Sequence, residues 1–165
     1  QPNTPSPTAP LAENKTPSIG GISLGDSAQR VTTELGSEFQ VLTIEEEGYY
    51  GEPYEERSYK NGLTLVIGRN SQRVLQISST AVNAPTELDV RIGDPAESVL
   101  TKYRAQYQEP VSPHGAGKLE GWFEVGDGQL MIFDFKADDD TLVNQTITAG
   151  SKVEQIVLAY AQFMD

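Results

Sequence analysis

The feature that most restricts how this chain can fold is an internal echo. Ile22-Ser23-Leu24-Gly25-Asp26-Ser27, followed by Val31 and Leu35, returns 68 residues later as Val90-Arg91-Ile92-Gly93-Asp94-Pro95, followed by Val99 and Tyr103. Repetition at a fixed offset marks a supersecondary unit used twice. Each copy reads as an apolar strand end, a glycine turn and a helix start, which predicts Asp26 and Asp94 as N-caps with Gln29 or Glu97 three residues on as a variant capping box. Pro95 then falls at the first helical position. Helical spacing buries Ala28, Val31 and Leu35 before a stop at Gly36, and Ala96, Val99, Leu100 and Tyr103 in the second copy.

Strands follow each helix. Residues 57–60, the Asn61-Gly62 pair and residues 63–67 predict a hairpin closed by a two-residue turn with positive φ at both central positions. Residues 122–125 and 129–135 repeat the idea around a three-residue glycine turn, 126–128. Arg73-Val74-Leu75-Gln76-Ile77 matches Lys152-Val153-Glu154-Gln155-Ile156 at an offset of 79, so the second unit carries an 11-residue insertion. A gapped alternative sets Val74 against Val143; the ungapped match is preferred and leaves residues 142–148 as an extra strand. The expected fold is α+β: two tandem pseudo-repeats, each a capped helix followed by antiparallel strands, in one continuous sheet or two adjoining ones. The units are 19–84 and 85–165, behind a leader, 1–18.

That helix-then-strands duplication resembles the tandem modules of beta-lactamase inhibitory proteins and, in single copy, the small envelope-assembly lipoproteins. It is most similar to Gram-positive exported lipoproteins of unassigned function that share the apolar-Gly-Asp-Ser/Pro helix start. The resemblance spans about residues 20–160 and implies a sheet with an exposed concave face, an exported or lipid-anchored location and the protein-binding role that some members have. It departs from the inhibitor pattern in having no cysteine, so no inhibitory residue is carried over.

Composition narrows the chemistry. Twelve Lys and Arg against 24 Asp and Glu leave a formal charge of −12, which repels nucleic acid and anionic membrane at long range. Without cysteine there is no disulfide framework, thiolate nucleophile or thiolate metal site. No apolar run approaches the ~18 residues of a membrane span. Five of the ten prolines lie in residues 1–17, where Leu11 is the one large aliphatic. Such a segment cannot offset its ordering entropy by burial and reads as a tether, of the kind that follows a removed signal or lipid anchor.

The single histidine, His114, sits in a Pro/Gly-rich loop with nothing nearby to complete a catalytic site, and no Gly-x-Ser-x-Gly elbow or phosphate cradle occurs. Asp138, Asp139 and Asp140 suit a hard cation such as Ca²⁺ but lack the alternating ligand spacing of a loop site, and read as a solvated hairpin tip. No cofactor is expected. The recognition segment is placed at residues 45–56, where Tyr49, Tyr50 and Tyr54 lie among six glutamates; tyrosine offers wide contact area with a polar handle at low entropic cost. Trp122 is a secondary candidate. The expected function is a non-catalytic, exported or envelope-anchored binding module for a protein or peptide of basic character. Its rivals are a carboxylate-dependent envelope hydrolase and a structural stalk or assembly domain.

Overall fold

The computed structural model describes residues 16–46, 50–111, 117–126, 128–138, 141–144 and 147–163. Among these residues two α-helices, α1 (Ala28–Leu35) and α2 (Ala96–Arg104), accompany seven strands: β1 (Gln40–Ile44), β2 (Tyr54–Ser58), β3 (Leu63–Gly68), β4 (Val74–Ser79), β5 (Trp122–Gly126), β6 (Gln129–Asp134) and β7 (Gln155–Tyr160). The strands form one sheet in the order β1-β2-β3-β4-β7-β6-β5, and every neighbouring pair is antiparallel. The protein is thus α+β, with a single continuous sheet rather than two adjoining ones. The two halves meet where β4 pairs with β7.

The helix starts differ from the expected caps by one residue. Ser27 is the N-cap of α1, and its side chain accepts from the Arg30 N–H at 3.0 Å. Pro95 holds that place in α2 and has no side-chain cap bond. It lies before the helix, not in its first turn, because its extended backbone (φ −63°, ψ 139°) forms a bridge with Lys152. The aspartates instead close the preceding turns. The Asp26 carboxylate accepts the Ser23 N–H at 2.9 Å, and that of Asp94 accepts the Arg91 N–H at 3.0 Å. Gly25 (φ 89°) and Gly93 (φ 96°) sit in those turns in the left-handed region, which glycine enters without steric cost. Each turn is then stitched to a strand: Gly25 N–H to Val74 O (2.9 Å) and Val74 N–H to Asp26 O (2.9 Å), as Gly93 N–H to Val153 O (2.8 Å) and Val153 N–H to Asp94 O (2.9 Å). Asp94→Ala is therefore expected to lower stability by about 0.5–2 kcal/mol through loss of a turn-closing bond, read as a shift in the urea midpoint with unchanged slope.

Hairpin geometry also departs from expectation. Tyr59 N–H bonds to Leu63 O at 2.8 Å, so the first loop is Lys60-Asn61-Gly62, with positive φ at Gly62 and not at Asn61. A three-residue loop with a left-handed glycine last is a common alternative to the two-residue turn. In the second hairpin Gly126 pairs with Gln129 after a register shift at Val125, so that connection is shorter than expected. Residues 142–144, 147 and 148 form no strand. Asn144 does the joining there: it accepts the Phe135 N–H and donates to the carbonyls of Phe133 and Glu120.

Alternation along the strands divides the sheet into two faces. The inner face, with Leu65, Ile77, Leu158, Met131 and Phe123 in register across it, is buried with α1 and α2 in the main core. There Tyr103, fully buried, packs against Phe133, Phe123 and Tyr107 at centroid separations of 4.8, 5.3 and 5.7 Å. Its hydroxyl donates to Glu87 at 2.9 Å, and the other oxygen of that carboxylate accepts the Ser18 N–H. The outer face is covered unevenly. Trp122, Leu130, Ile132, Val157 and Ala159 form a second cluster beneath Leu119, Leu142 and Val143; no such cluster lies over the β1–β4 half among the described residues.

Burial pushes the hydroxyls of Tyr103, Tyr107 and Tyr160 above the usual phenol range, and the Glu87 carboxylate adds to the effect at Tyr103 and Tyr107. The folded chain therefore keeps these protons where unfolded tyrosines, ionising near pH ~10, release them. Their stabilisation is complete below about pH 10 and is lost as pH rises above it. Urea midpoints should fall with pH above that point, less steeply in Tyr103→Phe.

Candidate functional site

The expected recognition segment is described in part: Glu47, Gly48 and Tyr49 lie outside the described residues. Tyr50 and Tyr54 come together. Their rings meet edge to face at 4.9 Å, and Phe163, just past β7, stacks on Tyr50 at 5.0 Å and nears Tyr160 at 6.1 Å. The Tyr50 hydroxyl donates to Gln76 Oε1 at 2.9 Å, and Gln76 is on the outer face of β4, paired with Val66 of β3. Tyr54 lies opposite Ile44 on β1. Both tyrosines are half-buried, so they form an aromatic rim on the open half of the outer face rather than a mobile loop tip.

The glutamates around them do not act as one field. Glu55 pairs with Arg57 at 2.6 Å, and Glu45 with Arg69 at 3.4 Å. Glu52 accepts the N–H groups of Asn70 and Ser71, both at 2.9 Å. Burial acts to raise its pKa, but bonds from Ser71 and Asn70 outweigh that and hold its carboxyl below the usual range. A Cβ at Gly68 would lie 2.5 Å from this carboxylate, so a larger residue there would displace Glu52 from its two N–H donors.

Trp122 does not belong to this surface. It is 8% exposed, packed in the second cluster, and its indole N–H donates to Leu142 O at 2.9 Å. Leu119, Leu142 and Val143 supply that cover, and this burial takes Trp122 out of the contact surface expected from the sequence. His114, Asp139 and Asp140 lie outside the described residues; Asp138 is exposed and pairs with Lys136 at 3.4 Å. Among the described residues no group of three or more His, Asp or Glu side chains could hold a metal ion. Three clefts each carry one carboxylate: Glu38 in the first, Glu109 in the second and Asp134 in the third. That of Glu109 is engaged by both Arg104 and the Gly121 N–H.

No known family description matches the chain, and no curated protein matches it in sequence. Among solved structures, the crystal structure of the uncharacterized protein yfeY from Escherichia coli is similar over 86% of this chain and 95% of that one, with 12% sequence identity and a TM-score of 0.45.

The site has a second component, which the sequence reading passed over: the edge strand β1. Both Val41 (53% exposed) and Leu42 (57%) face solvent, although alternation puts them on opposite sides of the sheet. The opposite edge is closed in part, because Gln108 bridges Glu124 of β5. At the start of β1 a cleft of about 470 Å³ is lined by Glu38, Phe39, Gln40, Ser58, Tyr59 and Lys60. Phe39 packs on Tyr59 at 5.3 Å, and the Arg57 guanidinium stands 4.5 Å from the Phe39 centroid. The signal available was a charge-free run, Gln40-Val41-Leu42-Thr43-Ile44, rich in β-branched residues and bounded by Glu38 and Glu45.

Proposed function

We propose that this chain is a non-catalytic, exported or envelope-anchored binding module, built from two related α/β units, whose partner is a protein or peptide of basic character. The duplication is supported by agreement between sequence offsets and pairing. The helix-start bonds recur at offset 68 with partners at offset 79. Ser78 of β4 pairs with Val157 of β7, the residue 79 positions on that a local two-fold axis would set opposite it. A positive φ also recurs at Gly21 and Asp89, again 68 apart.

One observation carries the functional reading: the units treat their outer faces differently. The insertion in the second unit covers its half with Leu142 and Val143, whereas the first leaves Leu42 exposed beside the half-buried Tyr50 and Tyr54. Val66 at the centre of that face is buried and Tyr50 reaches across to Gln76, so the open part is the strip of Leu42, Ile44 and Tyr54 toward the β1 edge. An apolar and aromatic strip open at a sheet edge is the form a protein-binding surface takes. Glu56, on the face between Leu42 and Val66, and Glu46 at its margin favour a basic partner through long-range attraction. The test is capture from an envelope fraction with the full chain and with a Tyr50→Ala/Tyr54→Ala variant. Partners held by the parent chain, released by salt and lost with the variant are the expected result; equal capture by both overturns this placement.

A further inference from the structure

Resting on that binding reading, we propose that β1 receives an extended, basic segment of the partner as an eighth strand, with one partner side chain seated in the Phe39–Tyr59 cleft. An edge strand presents a row of N–H and C=O groups able to template a further strand, and proteins ordinarily blunt such edges with lysine, proline, bulges or a covering segment. Gln40–Ile44 has no lysine or proline, and its register with β2 runs unbroken from Gln40↔Ser58 to Ile44↔Tyr54. Among the described residues nothing pairs with its free side. A strand added there gains main-chain bonds from the edge and selectivity from side chains falling alternately on the two faces. On the outer face those neighbours are Leu42 and Ile44, continuous with Tyr54; on the inner side they are Val41 and the cleft.

Charge selects the occupant. Glu38 opens the strand, Glu46 follows it and Glu56 lies on β2 beside it, carboxylates that no arginine engages among the described residues. Arg57 is held by Glu55 and Thr32, and Arg69 by Glu45; Lys60 shares the cleft with Glu38. A lysine- or arginine-bearing segment meets this edge favourably, and its alkyl stems suit Val41, Leu42 and the aromatic cleft walls. A second copy of the chain is disfavoured: antiparallel pairing centred on Leu42 sets Glu38 of each copy opposite Glu46 of the other, and like charges directly opposed destabilise a ladder. Residues 1–15 are a poor occupant because Pro2, Pro5, Pro7 and Pro10 cannot donate to a ladder.

The experiment titrates the full chain with a short, blocked peptide of alternating lysine and valine, and with the same peptide N-methylated along its backbone, following amide exchange and chemical shifts. The expected result is slowed exchange at alternate amides of residues 40–44, weakening with salt, and affinity about tenfold or more lower for the N-methylated peptide, which retains charge and side chains but cannot donate to the edge. Equal affinity of the two peptides, or no binding of either, overturns the proposal. Shifts confined to the surroundings of Tyr50 and Tyr54 overturn the added strand while leaving the recognition face standing. Protection of β1 already present in the free chain, abolished by dilution or by removing residues 1–15, assigns the edge to a second copy or to the leader and likewise overturns it.

Discussion

Tyr103→Ala is expected to cost the fold about 3–5 kcal/mol, the range for removing a large, fully buried ring. Tyr103 projects from α2 into the inner-face core and touches Tyr107, Phe123 and Phe133, so its loss opens a cavity where the second helix meets β5 and β6. Those rings are fixed by the sheet and can collapse only in part. Tyr103→Phe separates the two contributions. It keeps the ring and removes the bond to Glu87, so the expected cost falls to about 1–3 kcal/mol, the range for a hydrogen bond with a charged partner. Urea unfolding of the three chains, with slopes compared to confirm a common unfolded state, reads both numbers. Similar losses in the two variants would mean that the Glu87 link, which also ties Ser18 to α2, matters more than the packing.

The residues behind this prediction were legible because they obey local rules. Ala96, Val99, Leu100 and Tyr103 recur at helical spacing and are buried together. Glycine at 25, 36 and 93 marked turns whose positive φ the backbone adopts. Ser27 bridges Arg73 and Pro95 bridges Lys152, so each helix start is tied to a basic residue that the sequence placed just before or at the start of a strand. Where the reading failed, several conformations satisfied the local chemistry and distant contacts chose between them. Aspartate can cap a helix or close the turn before it, and stitching to Val74 and Val153 pulls the helix start one residue onward. Asn61-Gly62 suits both two- and three-residue loops; the β2–β3 register selects the longer. Residues 142–148 have strand-like composition, yet Leu142 and Val143 pack over Trp122 and Ile132 while Ile147 packs on the main core, a division that depends on sheet faces not yet formed when sequence is read alone.

The candidate site was legible in residue type but not in geometry. A glutamate run reads as a uniform negative loop, whereas Arg57, Arg69 and the Asn70-Ser71 backbone engage three of its members. Those partners are 2 to 24 residues away in sequence, and no periodicity announces them. β1 was overlooked because both its faces are exposed, which erases the alternation that reveals a half-buried strand.

Replacing Tyr50 and Tyr54 together by alanine is expected to weaken partner binding by about 2 kcal/mol or more, roughly thirtyfold, as for paired aromatic anchors at an interface centre. The fold should lose less, about 1–2 kcal/mol, since the rings are half-buried and the Tyr50 bond to Gln76 goes with them. Tyr50→Phe isolates that bond and should leave binding close to the parent value, because the ring still stands against Tyr54 and Phe163. Binding by calorimetry or surface methods, at two salt concentrations, is compared with urea midpoints measured on the same preparations. Separation of the two readouts identifies the tyrosines as contact residues. Parallel loss of both, with the double variant largely unfolded, would show that Tyr50, Tyr54 and Phe163 are a satellite core sealing the end of β4 and β7. Full retention of binding in a folded double variant would move recognition to the β1 edge alone, where the carboxylates of Glu38, Glu46 and Glu56 would then carry the salt dependence.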